Sequence, residues 1–444
     1  MQSSLILAAS AIFLAGYVLI TLEHRYHLHK AITASAIGAS LWILIALVEG
    51  ETGTHALERH GAEIFGIIFF LLAAMTLVEV LTHYRFFDWI RTKLSSLGLN
   101  DFKQLWVIGF VTFFLSAVID NLTAALVMIS VASRFFSRTN LLVVTAVIIS
   151  AANAGGAWSP IGDVTTIMLW LAGKFSTLEL VRWAFLPSFA LFLTTTGLLA
   201  RNLVGESCVV EEEAVHLTPS EKAVIGMALL SFPMPLLASQ IHLPPYMGLL
   251  FGLGCVGLMI SFFHNKERKV IAIENAEESE ELPGIVGSAG SAHLSSDLEK
   301  KLARTDIASL MFFAGILLAV GALEHLGILE TISHFLLGED PTIARYVVGS
   351  GSLGILSAIV DNIPITAAAM GILTTSDPAI WTLLAICVGT GGSLLIIGSA
   401  AGVVAMGRVK ELTFFRYLRL ATLPNAIGFV VALVIWSLQY IFFH

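Results

Sequence analysis

Two Asp-Asn pairs are the residues of this sequence that point most directly to chemistry. Asp120-Asn121 and Asp361-Asn362 each lie near the middle of a long apolar stretch, about residues 105–135 and 346–375, and Asp163 lies inside a third. A charge at the centre of a bilayer costs at least about 2.5 kcal/mol, so a carboxylate there indicates a function. A carboxylate without a basic partner either takes up a proton or binds a cation. A group that alternates between the two couples proton movement to cation movement.

Oxygen-bearing side chains accompany these carboxylates. Sodium and lithium are hard cations that prefer carboxylate, hydroxyl, amide and carbonyl oxygens. The candidates for cation and proton binding are Ser116, Asp120, Asn121, Thr123, Asn153, Asp163, Thr165, Thr166, Ser357, Asp361, Asn362, Thr366 and Ser399. Direct contact with sodium is predicted for Asp120, Asn121, Asp163, Thr166 and Asn362. An anionic substrate would instead call for arginine, lysine or bare helix N-termini. No resident cofactor is expected, only sodium or lithium ions and protons as transported species.

Helix breakers interrupt the apolar segment at about 141–173. Gly155, Gly156, Pro160 and Gly162 stand near its middle, where they break the helical backbone ladder. Broken backbone at membrane depth is tolerated only where it is buried in protein or lines a polar cavity. A small-residue packing face is the alternative, and it explains the glycines but neither Pro160 nor Asp163. The pattern therefore predicts an unwound transmembrane helix that contributes to a polar site.

The sequence repeats itself. Residues 116–121 read Ser-Ala-Val-Ile-Asp-Asn and residues 357–362 read Ser-Ala-Ile-Val-Asp-Asn, while the Gly-Gly and later Gly of 153–163 recur in 389–399 with Ser399 in place of Asp163. Each half is predicted to contain three helices, a hairpin, an unwound helix and a final helix. Five crossings per half would turn the second half upside down, which is the inverted-repeat plan of many secondary transporters.

The predicted boundaries follow from this repeat. The first repeat covers 1–205, and the second covers 206–263 and 306–444, with a second unwound helix at about 377–407. A polar, Gly/Ser-rich stretch at 264–305 is predicted to be a flexible cytoplasmic linker between the halves.

Composition places the whole chain in a membrane. Hydrophobic residues make up 57% and charged residues 13%, about half the charged fraction of a soluble domain. Apolar runs predict about ten full crossings, at about 4–21, 31–49, 63–83, 141–173, 178–203, 222–240, 245–263, 306–326, 377–407 and 420–443. The expected fold is an all-α polytopic membrane protein of two inverted repeats, each with a re-entrant helical hairpin and an unwound transmembrane helix.

The basic residues support re-entrant hairpins. With two such hairpins and both termini outside, all 24 lysines and arginines fall on the cytoplasmic side except Arg59, Lys174, Arg182 and Arg345. If both hairpin stretches crossed fully, the split would be nearly even. The net charge of −8 argues against nucleic-acid binding, and no segment carries the nucleophile–base pair or metal motif of an enzyme.

The quoted motifs carry a family resemblance. Ser-Ala-Val-Ile-Asp120-Asn121-Leu-Thr123-Ala, the Asn153 to Thr166 segment and Asp361-Asn362-Ile-Pro resemble the NhaD-type sodium/proton antiporters of the ion transporter superfamily. The resemblance implies two re-entrant hairpins and two unwound helices around a central site. It also implies exchange of cytoplasmic sodium or lithium for external protons in a bacterial cytoplasmic (inner) membrane, and a homodimer that works by an elevator-like movement.

Two questions stay open at this point. In related dicarboxylate carriers a serine stands where this sequence has Asp120 and Asp361, which favours a cation exchanger, and the alternative is a sodium- or proton-coupled carrier of a small anion or arsenite-like solute. Because Ser399 replaces a second Asp163, the halves are expected to be unequal. We expect Asp163 with Asp120 to hold the cation and Asp361 to contribute to proton coupling.

Overall fold

The described part of the chain is helical throughout. The computed structural model describes residues 2–21, 30–95, 99–204, 215–278, 306–331, 341–359 and 361–443, and these residues contain no strand. Eight of their helices are long and apolar enough to cross a membrane. Two further predicted crossings fall on the shorter apolar helices Ser4–Ile20 and Pro378–Gly391. The prediction of an all-α polytopic membrane protein is confirmed, whereas the inversion of the repeat stays a prediction.

The helices are numbered here in chain order. Their bounds are α1 Gln2–Thr21, α2 Lys30–Glu49, α3 Glu51–His83, α4 Phe86–Ser95, α5 Asp101–Ser116, α6 Asn121–Phe135, α7 Arg138–Gly156, α8 Val164–Leu171, α9 Thr177–Ala200, α10 Pro219–Ser231, α11 Met234–Gln240, α12 Pro245–Glu278, α13 Ile307–His325, α14 Ile343–Ser357, α15 Asn362–Ile372, α16 Pro378–Gly391, α17 Ala400–Arg408, α18 Phe414–Leu420 and α19 Thr422–Phe443.

Each stretch predicted to be a re-entrant hairpin forms two helices joined by a turn, and its re-entrant course in the membrane stays a prediction. In the first, α5 and α6 are joined by a short turn that ends at Asp120, and in the second, α14 and α15 are joined by a turn that ends at Asp361. The helix that follows each hairpin then stops early and resumes as a short helix, with α7 continuing into α8 and α16 into α17. The arm α6 packs against α17, and the arm α15 packs against α8. Each hairpin therefore contacts the interrupted helix of the opposite half.

Glycines let each hairpin approach the interrupted helix beside it. A Cβ at Gly155 would overlap the carbonyl oxygen of Phe113, and one at Gly162 would lie 2.5 Å from the carbonyl oxygen of Ser116. The second half repeats both contacts, with Gly391 against Gly354 and Gly398 2.6 Å from the Ser357 carbonyl oxygen. The glycines that marked the break in the sequence are thus also the points where two backbones touch.

Three boundaries differ from the sequence prediction. Helix α3 begins at Glu51 rather than near 63, and the predicted span at 222–240 is interrupted at Phe232 and Pro233. Helix α12 runs through the predicted linker start at 264 as far as Glu278. Residues 264–278 contain Lys, Glu, Arg and Ala but neither Gly nor Pro, and such residues favour helix even where their polarity ends a membrane span. The remainder of that linker, 279–305, lies outside the described residues.

The chain falls into two compact units. One comprises residues 1–68, 95–212 and 308–444 and contains both hairpins and both interrupted helices. The other comprises residues 69–94 and 213–307, and within it the Val215 backbone N–H donates to the Thr92 hydroxyl at 3.2 Å. These units do not follow the predicted repeat boundary at 205, which stays a prediction.

Helices α2 and α13 approach each other closely within the larger unit. The Trp42 indole N–H donates to the Leu318 carbonyl at 2.8 Å, and the Glu49 carboxylate lies 2.7 Å from the His325 ring nitrogen. Between these helices a Cβ at Gly38 would lie 2.7 Å from the carbonyl oxygen of Gly315. Small residues permit this approach because backbone meets backbone.

We predict that Gly315→Ala destabilises the protein. Its methyl group would lie 2.5 Å from the backbone carbon of Ala34, so α2 and α13 must move apart. Overpacking of this kind costs about 1–3 kcal/mol, and the melting temperature in detergent should fall. Gly226→Ala is the matched control, because no atom of another described element lies within 4 Å of its added methyl group. Equal melting temperatures for the two variants would contradict the close contact.

Candidate cation-binding site

Four helix N-termini lie at the two interruptions and hairpin turns. Asp120, Asp163, Asp361 and Ser399 are the N-cap residues of α6, α8, α15 and α17 respectively. The N-terminus of a helix carries a partial positive charge that stabilises a carboxylate. The three aspartates predicted to lie at membrane depth therefore each lie at a helix N-terminus, where the backbone stabilises a negative charge.

Asp163 is the centre of the polar cluster. Its side chain is buried, and the Asn121 amide donates to its Oδ1 at 3.1 Å. The Thr165 hydroxyl donates to Oδ2 at 2.5 Å, and the Asn362 amide approaches the same oxygen at 3.4 Å. One carboxylate thus receives donors from α8 and from both hairpins. Its own helix N-terminus receives no side-chain cap from it.

Asn153 extends the cluster toward the second interruption. Its amide oxygen accepts a hydrogen bond from Asn121 at 3.1 Å, and its amide nitrogen donates to the Ser393 hydroxyl at 2.7 Å. Asn153 and Ser393 are both buried. The two interruptions are therefore linked by side chains, and the structure brings together Asn121, Asn153, Asp163, Thr165 and Asn362 from the predicted set.

Asp120 and Asp361 are placed differently from Asp163. Asp120 accepts from the backbone N–H of Thr123 at 2.9 Å and from the Thr123 hydroxyl at 2.6 Å, and Asp361 accepts from the N–H of Ile363 at 3.3 Å. Both carboxylates cap the second arm of their own hairpin. Their negative charges also act on Asp163 through space. They surround the central carboxylate with further negative potential without a hydrogen bond to it in the described contacts.

The remaining predicted side chains contact backbone. Ser116 donates to the Ala152 carbonyl at 2.6 Å and Ser357 to the Val388 carbonyl at 2.9 Å, one residue before Asn153 and Gly389 respectively. The other contacts are Thr166 to the Asp163 carbonyl at 2.8 Å, Thr366 to the Asn362 carbonyl at 2.9 Å, and the Gly402 N–H to Ser399 at 3.2 Å. These hydroxyls hold the turns and helix ends in place.

Comparison with known proteins agrees with this arrangement. The family described as citrate transporter matches residues 17–389. Sodium/proton antiporter 2 of Arabidopsis thaliana is 36% identical over 422 residues, covering 92% of this chain and 93% of the relative. The Na(+)/H(+) antiporter NhaD of Vibrio cholerae is 32% identical over 442 residues (96% and 90%), and that of Alkalimonas amylolytica is 33% identical over 442 residues (96% and 89%).

The chain belongs to the citrate transporter family and to its NhaD-type sodium/proton antiporters. The resemblance drawn from the motifs is therefore confirmed. The two descriptions name different solutes, and the antiporter relatives are the closer guide, because each matches more than nine-tenths of this chain.

Two residues of this NhaD-type site escaped the sequence reasoning. A Cβ at Gly389 would lie 3.1 Å from Asp163 Oδ2 and 3.5 Å from the Thr165 hydroxyl, so a side chain here would press on the carboxylate. In the internal repeat, Gly389 occupies the position that corresponds to Asn153. This difference between the halves was the sequence feature that could have identified Gly389 as a site residue. Ser393, which binds Asn153, follows the second Gly-Gly, and only the fold reveals its partner.

The arrangement can exchange one positive charge for another. Among the described residues, the side chains that donate to Asp163 are amides and a hydroxyl, not lysine or arginine. Neutral donors do not cancel its charge, so a proton or a cation has to do so whenever the site is closed from water. The amide oxygens and the hydroxyl beside it are the ligand types that sodium and lithium accept.

Proposed function

We propose that the protein exports cytoplasmic sodium or lithium in exchange for external protons, with Asp163 as the group that binds both. The supporting observation is a single buried carboxylate held by neutral donors from both hairpins. The relatives of this chain are named sodium/proton antiporters. Exchange of sodium for protons by this chain is consistent with the hydrogen bonds around Asp163.

The proposed ligands are the ones that the fold brings together. Asp163 supplies the negative charge, and Asn153 and Thr165 supply neutral oxygens near it. Asn121 and Asn362, whose amide N–H groups donate to Asp163 in this structure, are proposed to turn their amide oxygens toward the bound cation. The Thr166 hydroxyl donates to the Asp163 backbone carbonyl, and its contact with sodium stays a prediction. Because Asp120 is engaged by Thr123 through both carboxylate oxygens, we assign it a through-space role, like that of Asp361.

Competition for one carboxylate couples the two ions. A proton and a sodium ion cannot both neutralise Asp163, so binding of one requires release of the other. Moving the site through an apolar barrier costs the most free energy when Asp163 is charged and no ion is bound. With either a proton or sodium bound, Asp163 is nearly neutral. Alternating access then carries sodium in one direction and protons in the other.

The proposed setting follows from charge distribution and from the family. Concentration of basic residues in the predicted inner loops supports both termini outside a bacterial cytoplasmic membrane. The homodimer rests on the family resemblance. The protein is proposed to work as a transporter and not as an enzyme.

Carriage of citrate or another small anion is the second candidate, because the matching family is described as citrate transporter. Helix N-termini are the natural donors for such an anion. Here Asp120, Asp361 and Ser399 already accept hydrogen bonds from the N-termini of α6, α15 and α17. These contacts favour a cation over a carboxylate substrate.

We predict that Asp163→Asn abolishes sodium-driven proton movement. The amide keeps the size of the side chain but neither carries a negative charge nor takes up a proton. The measurement uses everted vesicles with a preformed acid interior, in which added sodium or lithium should dissipate the pH gradient for the wild-type protein only. A wild-type protein that ignores both ions but moves citrate would contradict the proposed function.

We predict that Gly389→Ala weakens exchange while leaving the fold intact. Its methyl group presses on Asp163 Oδ2 and the Thr165 hydroxyl, so the apparent sodium KM should rise at least about tenfold, as for other groups that support metal ligands. Gly351→Ala is the control, because its methyl group meets only Leu433 at an ordinary 3.6 Å. Equal sodium KM values in the two variants would show that Gly389 is not needed beside the ion.

A further inference from the structure

A chain of buried polar groups leads from the cation site to the last helix. Tyr417 on α18 and Asn425 on α19 are both buried, as is Ser150 on α7. None of the three makes a described hydrogen bond to Asp163, and nothing in their local sequence marks them as functional. Their hydrogen bonds converge on the second interruption, where Ser393 meets Asn153.

The first link supports the end of α16. This helix stops at Gly391, so the carbonyls just beyond it have no partner within the helix. The Tyr417 hydroxyl donates to the Ser393 carbonyl at 2.7 Å, and the Thr422 hydroxyl donates to the Leu394 carbonyl at 2.8 Å. Side chains that follow the interruption therefore fix the backbone of its first residues.

The second link fixes the Tyr417 hydroxyl itself. The Asn425 amide nitrogen donates to that hydroxyl at 3.2 Å and to the Ala421 carbonyl at 3.0 Å. The Asn425 amide oxygen accepts from the Ser150 hydroxyl at 2.5 Å. Because Asn425 is a donor to Tyr417, the tyrosine proton has to point at Ser393. From Ser150 through Asn425 and Tyr417 to the Ser393 carbonyl, each group donates to the next.

The third link reaches the ion site. Ser393 accepts from the Asn153 amide nitrogen, so the Asn153 amide oxygen is directed to Asn121, whose amide also donates to Asp163. If Ser393 moved, the Asn153 side chain would be free to rotate and present its N–H groups to the site. An amide nitrogen repels a cation, whereas an amide oxygen binds it.

We propose that Tyr417 and Asn425 are positioning residues, which hold Ser393 so that Asn153 presents its oxygen to the transported cation. The inference rests on the proposed function, because it assigns Asn153 a contact with that ion. It places a determinant of sodium affinity on α18 and α19, outside both hairpins and both interruptions. Supporting groups of this kind fix the orientation of metal ligands and change affinity when removed.

The test is the sodium dependence of exchange by Tyr417→Phe in proteoliposomes. Loss of one buried hydroxyl should raise the KM for sodium about tenfold, while kcat at saturating sodium stays within about twofold. Ser150→Ala, at the far end of the chain, should raise the KM in the same direction by a smaller factor. A purely structural role would lower kcat through loss of folded protein and leave KM unchanged.

Tyr440→Phe is the matched control. It removes another tyrosine hydroxyl, from α19, whose partner is the Asp377 carboxylate at 2.8 Å rather than the interruption. Its KM should match that of the wild type. An unchanged KM in both Tyr417→Phe and Ser150→Ala, or an equal rise in Tyr440→Phe, would overturn the inference. If Tyr417→Phe does not fold, the KM of Ser150→Ala decides alone. A wild-type protein without a sodium response would instead contradict the proposed function.

Discussion

The Asp163 carboxylate lies in the buried interior, where the hydrogen-bond donors that the described residues bring to it are amides and a hydroxyl. Burying an ionised carboxylate is expensive unless a positive charge accompanies it, and these neutral donors supply none. The surrounding architecture follows from that requirement. Two interrupted helices provide helix N-termini in the interior, two hairpins bring Asn121 and Asn362 to the carboxylate, and Gly389 leaves space for it. A group so placed is stable only with a proton or a cation beside it, and this property is what couples the two ions.

The two halves share a framework but divide the chemistry unequally. In both halves a serine at the hairpin turn, Ser116 or Ser357, holds the backbone one residue before the position occupied by Asn153 or Gly389. Asn153 and Asp163 occur in the first half, whereas Gly389 and Ser399 take their places in the second. The glycine is where the Asp163 carboxylate needs room. The first half thus supplies the central carboxylate, and the second half leaves space beside it.

Local patterns in the sequence were sufficient for the parts of this arrangement that depend on local physics. Hydropathy located the helices, Gly155 and Gly162 marked the interruption, and the repeated Asp-Asn motif located both hairpin turns. Sequence alone could not tell that Asp120 caps its own helix while Asp163 receives donors from three helices, because that difference depends on contacts between distant segments. Tyr417 and Asn425 lacked any local signal for the same reason. The extension of α12 to Glu278 was missed because polar composition was taken to mean a linker, although those residues favour helix.

The central claim is that one carboxylate binds either sodium or a proton. It is tested most directly by calorimetric titration of the purified protein with sodium at several pH values, in buffers of different ionisation enthalpy. The account predicts that each sodium bound releases about one proton and that, where Asp163 is protonated, sodium affinity falls about tenfold per pH unit as the pH is lowered. Both effects should be lost in Asp163→Asn. Sodium binding that releases no proton and has the same affinity across this pH range would contradict the account.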